Sequence, residues 1–343
     1  MAVVWAVEAG PASPSECLNA ELSDDGSHIM LSYREVDGTT VRKEIDVLNG
    51  RVIGIGGLQT ACFAYVKVLP GGKRAICSPS DGSVGLYSLK ASEVCNNFFL
   101  CRVRCFGNSR DPYASLHCLA LDHSHKYLAW VSSSIQGPRH VNVMGLKEVL
   151  ENPNSKLVYQ KFTEQETVKF LRFSSHSSES NSAEGSPRFL LSASSNSGPN
   201  RCLIVWDLRH NNRFQHLEMT CGVYDAAIFC GDTEDTLAVC TPRGLEMYTS
   251  WEQRQFARWN TIEVPRKLKP FHCLIFNHGK NIVVSGQGVN DRVIIYAIAD
   301  MTVVDKVDRP IDAVRILEGN RLVLLENQMV SLWTPNLQKA SSK

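Results

Sequence analysis

Length, composition and charge restrict what this chain can be. It has 343 residues, of which 43% are apolar and 21% charged, and its formal net charge is +1 at pH 7. This balance excludes a chain-wide electrostatic field that would attract nucleic acid or anionic membranes. The apolar start at Met1–Val7 lacks the basic leader of a signal peptide, and no apolar run approaches the ~18 residues of a membrane helix. We therefore expect no membrane insertion.

The 12 cysteines lie mostly inside apolar alternation, as small core residues do. Unpaired thiols of this kind are typical of a reducing compartment. The sequence therefore predicts buried, reduced cysteines and a cytoplasmic and/or nuclear protein. Examples are Cys62, Cys118, Cys230, Cys240 and Cys273.

A three-strand pattern repeats along the chain. Each unit has an apolar strand, a polar turn, a second apolar strand, a loop and a third strand with a large residue near its end. Seven such units begin near residues 16, 60, 116, 167, 223, 271 and 311, roughly 40 to 57 residues apart. A single unit cannot bury both of its faces, so the units are expected to stack on one another.

The fourth unit shows the pattern most clearly. Its second and third strands lie within FLLSASSNSGPNRCLIVWDLR, which runs from Phe189 to Arg209. An apolar run is followed by a polar turn with Gly and Pro, and a second apolar run ends in Trp206-Asp207. Two β-rich runs separated by turn residues predict a hairpin.

The third strands align at their ends as VGLYSL, VNVMGL, LIVWDL, LEMYTS, VIIYAI and VSLWTP. A large side chain at one shared position predicts a wedge between neighbouring sheets. The first unit ends in KEIDVL and lacks the aromatic residue, so it is the weakest assignment. The aligned residues are Tyr87, Met144, Trp206, Tyr248, Tyr296 and Trp333.

These features resemble the WD40 repeat, whose third strand ends in Trp-Asp. The resemblance spans nearly the whole chain but is divergent, because only one unit keeps Trp-Asp and the family's Gly-His pair is missing throughout. Asp81-Gly82 is the one clear match to the family's structural Asp before the third strand. The family hydrogen-bond network is therefore expected to be incomplete, with more stability coming from apolar packing.

The resemblance implies a fold as well. The expected fold class is all-β: a seven-bladed WD40-type β-propeller over residues 1–335, followed by a polar tail at 336–343. Val3–Val7 has no partner strand of its own in the first unit. It resembles the N-terminal strand that completes the last blade in this family, which closes the ring and removes an open edge.

The fourth unit contains an insertion, SSHSSESNSAEGSP, from Ser174 to Pro187. Its one apolar residue is Ala183, so little hydrophobic burial is available to offset the entropy of ordering it. The sequence predicts a disordered loop over 174–187, and a tolerated loop insertion or a phosphorylation or docking segment both fit it.

The function implied by the resemblance is a non-catalytic protein–protein interaction scaffold that is a subunit of a multiprotein complex. The chain has no nucleophile elbow, Walker loop, HExxH or CxxC motif, so neither an enzyme nor a cofactor is expected. The expected partners are other proteins of a larger complex, and nucleic acid is not expected as the main partner.

A first alternative rests on Trp206-Asp207-Leu208-Arg209. This WDxR sequence resembles the motif by which substrate receptors of cullin–RING ubiquitin ligases dock on their adaptor. In that family the Arg makes charge-assisted hydrogen bonds to the adaptor. The resemblance implies a partner-binding role for Asp207 and Arg209, and a ubiquitin-ligase adaptor as a possible partner.

A second alternative rests on RQFARWNTIEVPRKLK, from Arg254 to Lys269. Basic residues interleaved with Phe256 and Trp259 are what an RNA-binding or phospho-partner-binding rim needs. The competing interpretation is a solvated outer strand whose two aromatic residues pack inward. The candidate binding residues are Arg254, Arg258, Arg266, Lys267 and Lys269.

Two further patterns are interpreted as structural. The glycines of Gly54–Gly57 lack phosphate-loop spacing and are assigned to a connector. Cys101–Cys105, together with His117, His123 and His125, suggests zinc. Strand alternation explains Cys101–Cys105 better, with the cysteines facing inward and the arginines facing solvent. We therefore expect no metal site.

Overall fold

A computed structural model describes residues 2–8, 16–22, 28–34, 39–46, 48–59, 63–68, 74–79, 85–91, 97–105, 119–122, 126–132, 139–147, 159–163, 165, 168–176, 187–194, 202–210, 214–219, 221–231, 234–251, 255–265, 271–276, 279–286, 293–307, 313–317, 321–326 and 329–334. The chain divides into two compact units. Unit 1 comprises 1–108, 288–294 and 304–343, and unit 2 comprises 109–287 and 295–303. In the described part of the chain, no helix is long and apolar enough to cross a membrane.

The fold is all-β, as predicted, and is built from antiparallel sheets. Sheet I of unit 1 has eight strands in the order β2-β3-β4-β5-β9-β8-β7-β6. Two four-stranded antiparallel runs meet in it through a short parallel pairing of β5 with β9. Its strands are β2 (Glu16–Leu22), β3 (His28–Arg34), β4 (Thr39–Asp46), β5 (Val52–Gln59), β6 (Phe63–Val68), β7 (Arg74–Pro79), β8 (Gly85–Ala91) and β9 (Asn97–Cys105).

The second sheet of unit 1, sheet VI, has the order β1-β29-β28-β27. Its strands are β1 (Ala2–Glu8), β27 (Ala313–Leu317), β28 (Arg321–Glu326) and β29 (Met329–Thr334). The N-terminal strand β1 therefore lies beside the last strand of the chain, with Ala2 opposite Thr334 and Glu8 opposite Met329. This confirms the predicted pairing of the N-terminal strand with the last repeat unit.

Unit 2 contains sheet II (β10-β11-β12-β13), sheet III (β14-β16-β17-β18) and sheet IV (β15-β19-β20-β21-β22). Their strands are β10 (Leu119–Leu121), β11 (Tyr127–Ser132), β12 (Arg139–Gly145), β13 (Tyr159–Thr163), β14 (Val168–Phe173), β15 (Ser175–His176), β16 (Phe189–Ser194), β17 (Cys202–Asp207), β18 (Phe214–Glu218), β19 (Asp225–Cys230), β20 (Glu234–Cys240), β21 (Leu245–Trp251) and β22 (Ala257–Ile262).

Sheet V has the order β23-β24-β25-β26. Its strands are β23 (Phe271–Phe276), β24 (Asn281–Gly286), β25 (Val293–Ala297) and β26 (Val303–Val307). The strands β23 and β24 belong to unit 2.

Sheet III is buried on both faces, which explains the continuous apolar runs of its central strands. Because side chains alternate along a strand, β16 and β17 send successive residues into two different cores. Leu190, Ile204 and Trp206 belong to a core shared with sheet II, whereas Leu191 and Leu203 belong to a core shared with sheet IV. The hairpin predicted from Phe189 to Asp207 is confirmed by the pairing of β16 with β17.

The six aligned large residues of the third strands are all buried. Each lies in the third strand of its repeat unit and is 9% exposed or less. This agrees with the predicted packing position. The residues are Tyr87, Met144, Trp206, Tyr248, Tyr296 and Trp333.

Two predicted boundaries need correction. Ser175–His176 forms β15, which pairs in parallel with Phe229 and Cys230 of β19, so the insertion is ordered at its start. Backbone pairing with the next sheet supplies hydrogen bonds that the polar sequence could not indicate. The rest of the insertion, 177–186, lies outside the described residues. Gly54–Gly57 lies inside β5, not in a connector, because the backbone of β5 pairs along β4.

The cysteine prediction is confirmed in part, because Cys202, Cys221 and Cys230 are free but only partly buried. Cys240 and Cys273 are free and buried, and Cys230 is free and partly buried. Burial raises the pKa of the Cys230 thiol to about 12, which keeps it protonated at neutral pH. Cys62 and Cys118 lie outside the described residues, as does Asp81-Gly82.

Candidate partner-binding surfaces

Trp206 is fixed by apolar packing and by a series of buried side-chain hydrogen bonds. Its indole is 1% exposed, and its Nε1 donates to Ser192 Oγ at 2.8 Å. Ser192 Oγ donates in turn to Gln165 Oε1 at 2.6 Å. The Gln165 amide then donates to the backbone carbonyls of Ser192 and Cys202, at 3.1 and 3.2 Å. A satisfied buried network of this kind fixes the end of β17. In sheet III, hydrogen bonding therefore supplements apolar packing.

Asp207 ends β17 by capping the turn that follows. Its carboxylate accepts hydrogen bonds from the backbone N–H groups of Arg209 and His210, at 3.0 and 3.1 Å. The same carboxylate contacts His210 Nδ1 at 3.0 Å. Asp207 is buried, so its interactions are within the fold, whereas Arg209 is exposed, as predicted. The local Asp–backbone bonds present the Arg209 side chain from an ordered turn.

A buried ion pair lies between sheets III and IV near this turn. Arg188, which precedes β16, contacts Asp235 Oδ2 of β20 at 2.9 Å. Asp235 is 2% exposed, and its other oxygen, Oδ1, has no hydrogen-bond partner among the described residues. Burial, together with Asp207 and Glu234, raises the pKa of Asp235 to about 6 against the opposing effect of Arg188 and Arg209. Ionisation of Asp235 is therefore costly in the folded state.

The raised pKa of Asp235 predicts a pH-dependent stability. Because the folded pKa of about 6 exceeds the ordinary value of 3.8, ionisation destabilises the fold as pH rises from about 4 through about 6. This carboxyl should make the wild type about 1 kcal/mol more stable at pH 5 than at pH 7.5. Asp235→Asn should abolish that contribution. Urea unfolding of both proteins at both pH values measures it, and identical pH responses would contradict the assignment.

A second ionic cluster joins the first strands of sheets III, IV and V. Arg172 Nη2 lies 3.0 Å from Asp225 Oδ1, and His272 Nδ1 lies 3.3 Å from Asp225 Oδ2. The Cys273 amide also donates to Asp225, at 3.1 Å. Burial favours the neutral acid, but Arg172, His272 and the Cys273 amide outweigh it and lower the pKa of Asp225 below its ordinary value. The cluster cross-links three strands and is engaged within the fold.

The outer strand of sheet IV, β22, displays a tryptophan. The pairing of β22 with β21 shifts register: Met247 faces Asn260 and Tyr248 faces Arg258, so Trp259 is the extra residue of a β-bulge. A bulge reorients the side chains around it. The Trp259 side chain is 42% exposed. It lines a shallow surface depression together with Arg258, Asn260 and Thr261.

The Arg258 guanidinium has N–H donors that make no hydrogen bond to the described residues. Its side chain is 56% exposed, and its Nη1 forms an ion pair with Glu246 Oε2 at 3.6 Å, which is too long for a hydrogen bond. That carboxylate oxygen is already the acceptor for the Tyr248 hydroxyl, at 2.8 Å. Burial and the Glu246 carboxylate both raise the pKa of Tyr248, so its hydroxyl remains a donor. Within the described part of the chain, the Arg258 guanidinium therefore keeps donors available for a partner.

The two aromatic residues of the predicted basic rim differ in burial. Phe256 is buried and makes an edge-to-face contact with Phe189, whose ring centroid lies 5.7 Å away. Trp259 is exposed, so the interpretation in which both aromatic residues pack inward is wrong. Phe256 and Trp259 are three positions apart, and strand alternation places side chains at an odd spacing on opposite faces. This spacing was the feature of the sequence that could have indicated their separation.

The other predicted site residues divide between the described and undescribed parts of the chain. Arg254, Arg266, Lys267 and Lys269 lie outside the described residues, as do His117, His123 and His125. In the described ranges, no three His, Cys, Asp or Glu side chains are grouped so that they could hold a metal ion. Sequence reasoning missed the Arg188–Asp235 pair and the role of Gln165, whose partners are distant along the chain.

Compared with known proteins, the chain matches no protein-family model and no curated protein. The resemblance to the WD40 repeat therefore stays a prediction that rests on the residues themselves.

Proposed function

We propose that this chain is a non-catalytic protein-binding scaffold built on a seven-bladed WD40-type β-propeller. Sheet I contains two four-stranded antiparallel runs, and each of the five other sheets contains a four-stranded antiparallel run with one of the aligned large residues. Seven four-stranded runs are the number that a seven-bladed propeller would need. The pairing of β1 with β29 is what the ring closure of such a propeller requires.

One observation carries the proposed binding role. The exposed Trp259 stands beside an exposed arginine on a paired strand, and Trp and Arg are among the residues that contribute most to protein–protein affinity. Buried ionic groups such as Asp225 and Asp207 are engaged within the fold instead. A rigid strand that presents exposed aromatic and cationic side chains suits partner binding better than catalysis.

The test is affinity purification of the full chain from cells, followed by mass spectrometry. We expect a reproducible set of proteins in near-stoichiometric amounts at physiological salt, and size-exclusion chromatography should show a complex larger than the chain. Recovery of the chain alone in both measurements would overturn the scaffold proposal.

A second candidate function is favoured by the geometry at the end of β17. Arg209 is exposed and is presented from a turn that Asp207 caps. This is the arrangement that docking of a ligase substrate receptor through WDxR requires. Arg209→Ala should abolish co-purification of cullin–RING components at unchanged melting temperature. Arg243→Ala, which removes an exposed arginine from the turn before β21, is the matched control. If wild type recovers no such components, the receptor function is excluded.

A further inference from the structure

The exposed surface of β22 is the strongest candidate for a specific binding site. This β22 surface consists of Arg258, Trp259, Asn260 and Thr261. Arg258 and Trp259 are consecutive and both exposed, as is Ala257 before them, because β22 is the outer strand of sheet IV, and the bulge at Trp259 interrupts the alternation of the strand. A regular strand would send one of the two side chains toward each face. At the bulge, Arg258 and Trp259 line the same depression, so a cation and an aromatic ring lie on one exposed surface.

The edge of β22 is protected against simple strand addition. An edge strand offers unpaired backbone N–H and C=O groups to any extended chain. At Thr261, however, the backbone N–H already donates to Asn260 Oδ1 at 2.7 Å. An incoming strand would have to displace that bond. Recognition at the β22 surface is therefore expected to depend on the side chains of Arg258 and Trp259.

The charges of the described strand favour a peptide over nucleic acid. Within β22 itself, Arg258 is the one charged residue, although Arg254, Arg266, Lys267 and Lys269 stand on either side of the strand in the sequence. Binding to a phosphate backbone depends on several cations acting together. A single arginine with spare donors is better matched to one carboxylate, which it can bind in a bidentate geometry. The adjacent indole offers an apolar surface to one neighbouring side chain.

We infer that the β22 surface binds a short segment of a partner protein in which an acidic residue stands next to an apolar one. The carboxylate pairs with the Arg258 guanidinium, and the apolar side chain packs on the Trp259 ring. This inference rests on the proposed scaffold function, because it names the chemistry of the partner that the scaffold takes.

The experiment selects binders from a displayed library of random ten-residue peptides, using the full chain. Selected peptides should be enriched in Asp or Glu within two positions of an apolar residue. Trp259→Ala and Arg258→Ala should each weaken binding of the selected peptides by about tenfold or more, the effect typical of a central contact residue. Arg258→Lys should be weaker than wild type, because a lysine cannot form the bidentate pair.

Two control variants test whether peptide binding is specific to the β22 surface. Val303→Ala removes an exposed apolar side chain from β26, and Arg51→Ala removes an exposed arginine immediately before β5. Both should leave peptide affinity unchanged. Equal melting temperatures for all variants would show that the losses come from binding.

The outcomes distinguish this inference from the scaffold proposal. If the selected peptides bind Trp259→Ala and Arg258→Ala as tightly as wild type, the β22 site is overturned. The scaffold proposal would then stand, with partners bound at another surface. Failure to select peptides, combined with recovery of the chain alone from cells, would overturn both. Binding of single-stranded oligouridylate that depends on Trp259 and weakens steeply with salt would overturn the peptide in favour of RNA.

Discussion

Trp206→Ala should lower the free energy of unfolding by about 3–5 kcal/mol. The indole is 1% exposed and belongs to the core shared by sheets II and III, so truncation leaves a large cavity in a region that cannot fully collapse. The substitution also removes the Nε1 donor from Ser192, whose hydroxyl is buried. Equilibrium urea unfolding, followed by far-ultraviolet circular dichroism, measures the loss.

Two milder variants separate packing from hydrogen bonding at this position. Trp206→Phe keeps an aromatic ring but loses the N–H donor, and Ser192→Ala removes the acceptor while leaving the indole in place. Each should cost about 1–3 kcal/mol, the range for a buried polar group that loses its partner. A loss below about 1 kcal/mol for Trp206→Ala would contradict a wedge between sheets.

Removal of residues 1–8 should destabilise the protein severely and promote aggregation. β1 pairs with β29 along its length, from Ala2 opposite Thr334 to Glu8 opposite Met329. Without it, β29 becomes an open edge whose residues include the buried Leu332 and Trp333. An unprotected apolar edge pairs readily with other chains. Light scattering and thermal unfolding, compared with the full chain, measure both effects.

The matched control for this truncation is complementation. A synthetic peptide of residues 1–8, added in excess, should bind the vacated edge and recover part of the stability, because strand addition restores the main-chain hydrogen bonds. A peptide of the same composition in scrambled order should not. A truncated protein that stays monomeric and as stable as the full chain would show that β1 does not support sheet VI.

The sequence by itself determined the three inner strands of the repeat units, whereas the fourth strand of each run was not part of the predicted pattern. The runs from Phe189 to Ala193 and from Cys202 to Asp207 are apolar because sheet III is buried on both faces, and this local cause is visible in the residues. The alignment of third-strand ends located the buried position of Trp206 for the same reason. The partner of the N-terminal strand could be predicted because its apolar residues had no other unit to join.

The tertiary structure alone decided how side chains far apart in the sequence meet. Arg188 pairs with Asp235 between two sheets, and burial there raises the pKa of the Asp235 carboxyl to about 6. Neither residue by itself indicates the pH-dependent stability that follows. Ser175–His176 is ordered because β19 offers it a backbone partner, although its own composition is polar.

For the candidate binding site too, the sequence located the residues and the tertiary structure decided their environment. The sequence located an arginine and two aromatic residues near β22 at a spacing that separates the two rings, but only the folded chain showed the packing of Phe256 on Phe189 and the bulge at Trp259. Local propensity and alternation depend on neighbours along the chain, so they can be inferred from it. Bulges, ion pairs and exposure depend on contacts between distant segments, and only the folded backbone brings those segments together.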